Sequence, residues 1–172
     1  MPELPEVEVV RRGLDQHVVG RTFQRVEVLH PRAARGNTVN LEATLPGLTI
    51  TGTGRRGKYM WFTLSDGAAL LVHLRMSGQM LVANHGTVTS PHLRIRADVG
   101  EVELDFVDQR TFGFWQYTQL VGGIPQPALH IAPDPFEDDF DLRETARAMR
   151  RRRSPLKNVL LNQEVVSGIG SI

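Results

Sequence analysis

Apolar positions at Val7, Val10, Leu14 and Val18 recur at three- and four-residue spacing, which predicts a helix over residues 2–19 ended by Gly20. Pro2 and Pro5 are compatible with it because they precede or fall within its first turn, where a missing N–H leaves no intrahelical bond unmade. On that turn Glu3 and Glu6 are three residues apart and share a face beside the chain terminus. From about Thr22 to Tyr117 the period changes to that of strands. Phe23–Leu29, Leu48–Thr53, Lys58–Leu64, Ala69–Leu74 and Val102–Val107 are short β-rich runs separated by glycine-bearing turns such as Ser65-Asp66-Gly67. Short strands without helices between them predict an antiparallel sandwich or barrel.

Gly122-Gly123-Ile124-Pro125-Gln126-Pro127, continuing to Pro133 and Pro135, reads as a linker. Two helices are predicted after it. Asp141 with Glu144 three later resembles a capping box and opens one through about Arg152; Ser154 as cap and Pro155 at the first helical position open another, carrying Leu156, Val159 and Leu160. The expected division is 1–122, a helix and sandwich; 123–136, a linker; and 137–172, a helical segment too small to be a domain alone. A closing Gly168-Ile169-Gly170 turn that leads nowhere suggests that further chain is missing.

The 172 residues include 20 basic and 19 acidic side chains and no cysteine, which rules out disulfides and cysteine-ligated zinc within this stretch. No apolar run approaches the roughly 20 residues of a membrane span, and MPELPEVEVV lacks the order of a secretory signal, so a soluble cytoplasmic protein is the default expectation. The net charge of +1 points to no particular partner. Its distribution is uneven, with acids at Glu137, Asp138, Asp139 and Asp141 and a basic block at Arg150–Arg153, a pattern compatible with a solvated helix end or with a binding surface.

Methionine before proline is a start from which the initiator is commonly removed. Pro2 would then carry a secondary amine, partly unprotonated near neutral pH because an α-amino group titrates at about 7.7–8.0. Such an amine attacking an aldehyde-level carbon gives an iminium with no N–H to lose, which stays cationic and acts as an electron sink. Glu3 and Glu6 beside it could move protons or anchor the amine. Taken alone, the same residues also make an ordinary helix start with carboxylates complementing the dipole.

Pro2-Glu3-Leu4-Pro5-Glu6-Val7-Glu8 resembles the opening of the formamidopyrimidine-DNA glycosylase / endonuclease VIII family. Further matches follow in family order at Gly54-Arg55-Arg56-Gly57-Lys58-Tyr59, His73-Leu74-Arg75-Met76-Ser77-Gly78, Asp108-Gln109-Arg110-Thr111-Phe112-Gly113 and Gly168-Ile169-Gly170-Ser171-Ile172. Leu4, Met76, Arg110 and Phe112 are closer to the formamidopyrimidine branch. The resemblance implies an α+β fold: an N-terminal helix plus antiparallel β-sandwich, then the first helices of a helix–two-turn–helix domain. It implies a monomeric base-excision repair glycosylase with abasic-site lyase activity, acting on double-stranded DNA that contains oxidised purines or abasic sites. Pro2 would be the nucleophile, Glu3 the proton donor in base release with Glu6 in support, and Lys58 the proton donor in β-elimination. Met76 and Phe112 would fill the gap left by an extruded nucleotide and Arg110 would bond the widowed base. His73, His92 and Lys157 match DNA-contacting positions, and Arg152 lies near another, with a register uncertain by a residue inside the arginine block.

Two features depart from that pattern. Ser171 stands where the family carries a phosphate-binding asparagine. The sequence also stops before the four-cysteine finger that would hold one zinc ion, so no metal is expected in these residues. One jaw of a DNA clamp would bind duplex weakly, because phosphate contacts supply most of the salt-dependent affinity. A paralogue that binds damaged or abasic DNA without turnover is the alternative reading.

Overall fold

The computed structural model describes residues 2–170. The first helix, α1 (Leu4–Val18), buries Leu4, Val7, Leu14 and Val18, the stripe set by the apolar spacing. Pro5 falls in its first turn, and after Val18 the chain turns at Gly20, whose φ of +88° suits a residue without a side chain.

Among the described residues nine strands follow: β1 (Arg25–Val28), β2 (Ile50–Arg56), β3 (Tyr59–Leu64), β4 (Ala68–His73), β5 (Gly78–Ala83), β6 (Leu93–Asp98), β7 (Glu103–Asp108), β8 (Phe114–Val121) and β9 (Ile124–Pro125). They form two sheets, ordered β1-β6-β7-β5 and β2-β3-β4-β8-β9, with every pairing antiparallel. The main core lies between them, where Val26, Ile95, Ala97, Leu104 and Phe106 of one sheet join Ile50, Met60, Phe62, Leu70, Val72 and Trp115 of the other, with Val7, Leu14 and Val18 of α1. Trp61, Ala69 and Leu71 point to the opposite face of the five-stranded sheet and form a second small cluster. β4 is therefore buried on both faces, which is why it reads as an unbroken apolar run.

Several expectations need correction. The region between β1 and β2 is not free of helix: Pro31–Ala34 forms a 3-10 turn capped by the His30 side chain, and α2 (Leu41–Thr44) is capped by Asn40, whose side chain accepts from the Ala43 N–H. β5, β6 and β8 are strands outside the five runs expected; β6 alternates Leu93, Ile95 and Ala97 inward with Arg94 and Arg96 outward. Gly122 and Gly123, both at positive φ, form the tight turn joining β8 to β9, so sheet pairing continues to Pro125 and the linker expected over 123–136 does not begin at that turn.

Beyond the sheets lie α3 (Leu142–Arg150) and α4 (Leu156–Leu160). Asp141 caps α3 as expected, accepting from the Arg143 and Glu144 N–H groups. Ser154 does not cap α4. Pro155 occupies that position with an extended ψ of 147° and offers no side-chain acceptor. The chain then returns to the N-terminal helix: the Ala132 N–H donates to the Gln163 carbonyl, Gly168 lies against Leu4, and Gly170 lies against Glu3 and Lys58.

Candidate active site

The site forms where the start of α1, the β2–β3 hairpin and residues 168–170 meet. Pro2 is half-buried immediately before Glu3. The Glu6 carboxylate accepts from the Glu3 N–H at 3.0 Å, closing the first turn and fixing the backbone that carries Glu3. Lys58 sits just past Gly57 in the hairpin turn. It is not a solvated tip: its Nζ is 2.7 Å from the Glu3 Oε2 and its side chain is largely buried. Gly170 closes the far side, where an added Cβ would collide with the Glu3 carboxylate and crowd the Lys58 amine at 2.8 Å.

Next to this pair opens a cavity of about 720 Å³ lined by Lys58, Tyr59, His73, Arg75, Met76 and Phe112, among others. His73 ends β4 with its ring edge-on to Tyr59 at 4.7 Å and stacked with Phe114 at 5.9 Å. Burial, reinforced by Arg75, Lys58 and Arg35, pushes its pKa down to about 3. Its Nδ1 accepts from the Arg75 N–H at 3.0 Å, which leaves Nε2 as the protonated nitrogen of a neutral ring. Such a ring donates a hydrogen bond to an anion without bringing a second positive charge beside Lys58.

Two loops carry exposed apolar side chains to the cavity. Met76 is 45% exposed and Phe112 is 37% exposed, so neither is a core side chain. The Arg110 Nη1 approaches the Met76 sulfur at 3.7 Å, and Arg32 lies over the Phe112 ring. Both loops depend on Asp108, a residue that sequence reasoning left without a role. Its buried carboxylate accepts from the Ser77 hydroxyl, from the Arg110 N–H at 3.2 Å and from the Gly113 N–H at 2.7 Å. Arg35 donates to the Phe112 and Gly113 carbonyls from the other side. Among the described residues, Arg75 and Thr111, beside Met76 and Phe112, are the non-glycine residues at positive φ, at 52° and 56°. Such backbone is strained and persists because its surroundings hold it.

The structure thus gathers Pro2, Glu3, Glu6, Lys58, His73, Met76, Arg110 and Phe112. His92 is not among the residues that line the cavity; it sits in the turn before β6, where its backbone N–H donates to the Ser90 hydroxyl at 3.1 Å and its carbonyl accepts from the Asp108 N–H at 2.9 Å. Lys157 on α4 lines a separate hollow that reaches Gly170. Arg152 is exposed after α3, and among the described residues no hydrogen bond or ion pair joins its side chain to the other candidates. Ser171 lies outside the described residues.

The profile of the formamidopyrimidine-DNA glycosylase N-terminal domain matches residues 1–115. This chain belongs to the formamidopyrimidine-DNA glycosylase family. Relatives of that name from Corynebacterium efficiens and Mycolicibacterium smegmatis are 50% and 52% identical across the whole chain, which spans 64% and 62% of their lengths. The solved complex of the Lactococcus lactis enzyme of the family with DNA containing an abasic site is 32% identical, covers 98% of this chain and 64% of that one, and superposes with a TM-score of 0.84. A structure of MutM with DNA containing carbocyclic 8-oxo-G has the same identity and score.

Beneath the family's motif residues lies an ionic network that the sequence did not reveal. Arg55 Nε is 2.6 Å from the Glu8 carboxylate, and its two terminal nitrogens donate to Asp134 at 2.6 and 3.1 Å. Glu8 also accepts from Arg11 and Arg12, and these hydrogen bonds, Arg11 foremost, hold its pKa at about 2. The one available signal was that Glu8 lies two residues past Glu6, and so turns from the exposed face of α1 toward the sheet. The zinc finger implied by the family has no counterpart here: the sequence has no cysteine, and among the described residues no group of His, Asp or Glu could hold a metal ion.

Proposed function

We propose that this chain carries the nucleophilic and proton-transfer half of a base-excision repair DNA glycosylase with abasic-site lyase activity, acting on oxidised purines such as 8-oxoguanine and formamidopyrimidines. The Glu3–Lys58 pair at 2.7 Å, beside Pro2 and opening onto the His73 cavity, carries this reading. The solved relatives hold DNA with an abasic site or a damaged base, which is the partner proposed here. A sheet domain that ends at β9, a connector and a helical segment, together with a single-chain state in solution and a location with the nucleoid, belong to the same proposal.

The Pro2 nitrogen attacks C1′ of the damaged nucleotide. The C1′–N bond breaks, its electron pair leaves with the base, and a carboxyl at Glu3 supplies a proton to the departing side. After the nitrogen sheds its proton, its lone pair expels O4′ from C1′ and opens the sugar ring, O4′ takes up a proton, and the resulting iminium draws electrons from C2′. As a C2′ proton is lost, that pair closes a C2′=C3′ double bond, the C3′–O bond breaks, and the phosphate leaves with the bonding pair. Lys58 supplies a proton to that departure, and water then hydrolyses the iminium to free Pro2. If a second elimination precedes that hydrolysis, a C4′ proton is lost into the conjugated iminium, the C5′–O bond breaks, the 5′ phosphate leaves with the bonding pair, and water then frees the remaining sugar from Pro2. The flipped-out nucleotide leaves a gap that Met76 and Phe112 fill, with Arg110 opposite the widowed base. The DNA-binding roles of His73, His92, Lys157, Arg152 and Ser171 are part of the proposal; His73 suits it best, as a neutral donor on the cavity wall.

Borohydride treatment of the chain with an abasic-site duplex is expected to give a covalent adduct at the Pro2 nitrogen. Acetylating that nitrogen should abolish the adduct, and Pro2→Gly should cut strand scission by about a hundredfold. Binding of the abasic duplex without any adduct would instead establish the non-catalytic paralogue.

A further inference from the structure

The Gly57 turn is gripped from a direction that the proposed chemistry does not use. We infer that Asp134 is the positioning residue for Lys58. It acts through Arg55 and the Gly57 backbone to hold the lysine amine against the Glu3 carboxylate. The lysine's part in elimination rests on the function proposed above, but the positioning itself does not.

Asp134 is completely buried between Pro133 and Pro135, and both its oxygens are fully engaged. Oδ2 accepts from Arg55 Nη1 at 2.6 Å and from the Gly57 N–H at 2.8 Å. Oδ1 accepts from Arg55 Nη2 at 3.1 Å and from the Phe136 N–H at 2.9 Å. Arg55 Nη1 also donates to the Gly57 carbonyl at 3.0 Å, so both peptide groups around Gly57 are held, the second being the one that begins Lys58. The third Arg55 nitrogen reaches Glu8 on α1, the helix whose start carries Glu3. One carboxylate therefore sets the hairpin turn relative to α1, and Lys58 then spans the remaining gap to Glu3 at 2.7 Å. A bidentate arginine pair fixes orientation as well as distance. That matters because a donor displaced by about 1 Å loses on the order of a hundredfold in rate.

The chain has two lysines, Lys58 and the exposed Lys157, so each molecule contains its own reference for an amine-labelling test. With acetic anhydride as the probe, Asp134→Asn in the full 172-residue chain is expected to raise Lys58 acetylation several-fold relative to Lys157. Asn40→Ala, which weakens the chain by uncapping α2, an element that packs on β1, should leave that ratio unchanged. On an abasic-site duplex, Asp134→Asn should slow single-turnover scission by about 10- to 100-fold, with the Kd for a tetrahydrofuran-site duplex unchanged. An unchanged labelling ratio in folded Asp134→Asn, or an equal rise in Asn40→Ala, overturns the inference. If Asp134→Asn does not fold, Asp134→Glu carries the test. It keeps the charge beside Arg55 but moves the oxygen away from the Gly57 N–H, and an unchanged ratio overturns the inference there too. Absence of borohydride adduct in the wild-type chain would refute the proposed function, while the labelling ratio would still decide the role of Asp134.

Discussion

Asp108 and His73 shape the cavity without belonging to the Glu3–Lys58 pair. Asp108 is the shared acceptor for donors from both cavity loops, and Asp108→Ala would leave the Ser77 hydroxyl and the Arg110 and Gly113 N–H groups without it. The Gly113 N–H is the buried donor among them, while the Arg110 N–H keeps the Ser77 hydroxyl as an acceptor at 3.1 Å, so a loss of about 1–3 kcal/mol is expected in the urea-unfolding free energy. Loop order should fall with it, seen as faster exchange of the Gly113 amide. The motif Asp-Gln-Arg-Thr-Phe-Gly was legible in the sequence, but it drew attention to Arg110 and Phe112 and not to the acid that holds them. A buried acceptor leaves no periodic trace, because its partners come from Ser77, Arg110 and Gly113 rather than from one face of one element.

At the scale of elements, the hairpin of β2 and β3 does most to assemble the site. Gly54 in β2 lies under the Trp61 indole, where a Cβ would come within 2.5 Å of a ring carbon, and Gly57 turns the chain at a φ of +58°. The segment around Gly170 presses on the hairpin and α1 together. Gly170→Ala should push the Glu3 carboxylate away from Lys58, because its Cβ would overlap both groups. Scission of an abasic duplex is expected to fall by about tenfold or more with little change in unfolding midpoint. An unaltered rate would mean that the pair tolerates separation. The helix start, the hairpin strands and the Asp141 cap were all visible as local patterns. The 3-10 turn at Pro31, α2 and the Gly122-Gly123 hairpin were not recognised, although His30, Asn40 and the glycine pair were there as signals. In each case the cap or turn is only a few residues long and carries no amphipathic repeat.

For the molecule as a whole, the buried His73 and Asp105 and the half-buried Glu8 shape how stability varies with pH. His73 titrates at about 3 when folded against 6.5 ordinarily, so the unfolded chain takes up the extra proton and stability declines as pH drops from 6.5 toward 3. Glu8, at about 2 against 4.5, adds a further decline as pH drops below 4.5. Asp105 works in the opposite sense. Burial beside Glu103 raises it from 3.8 to about 7, so the folded state holds the extra proton and stability declines as pH rises across that interval. Urea midpoints measured from pH 3 to pH 8 should therefore lose part of their acid decline in His73→Asn. In Asp105→Asn they should rise at pH 8 relative to pH 4. The opposite ordering would place the charges elsewhere.

The sequence by itself determined the amphipathic helix, the predominance of strands and the N-terminal cluster of Pro2, Glu3 and Glu6, because each is written in residue type and short-range spacing. It also determined family membership, through motifs dispersed along the chain. Only the tertiary structure decided that Lys58 faces Glu3, that Asp108 unites two loops, and that Asp134 reaches back 79 residues to Arg55. Those contacts depend on how two sheets and a returning segment stack, and burial then fixes which charges survive by leaving each a single set of partners.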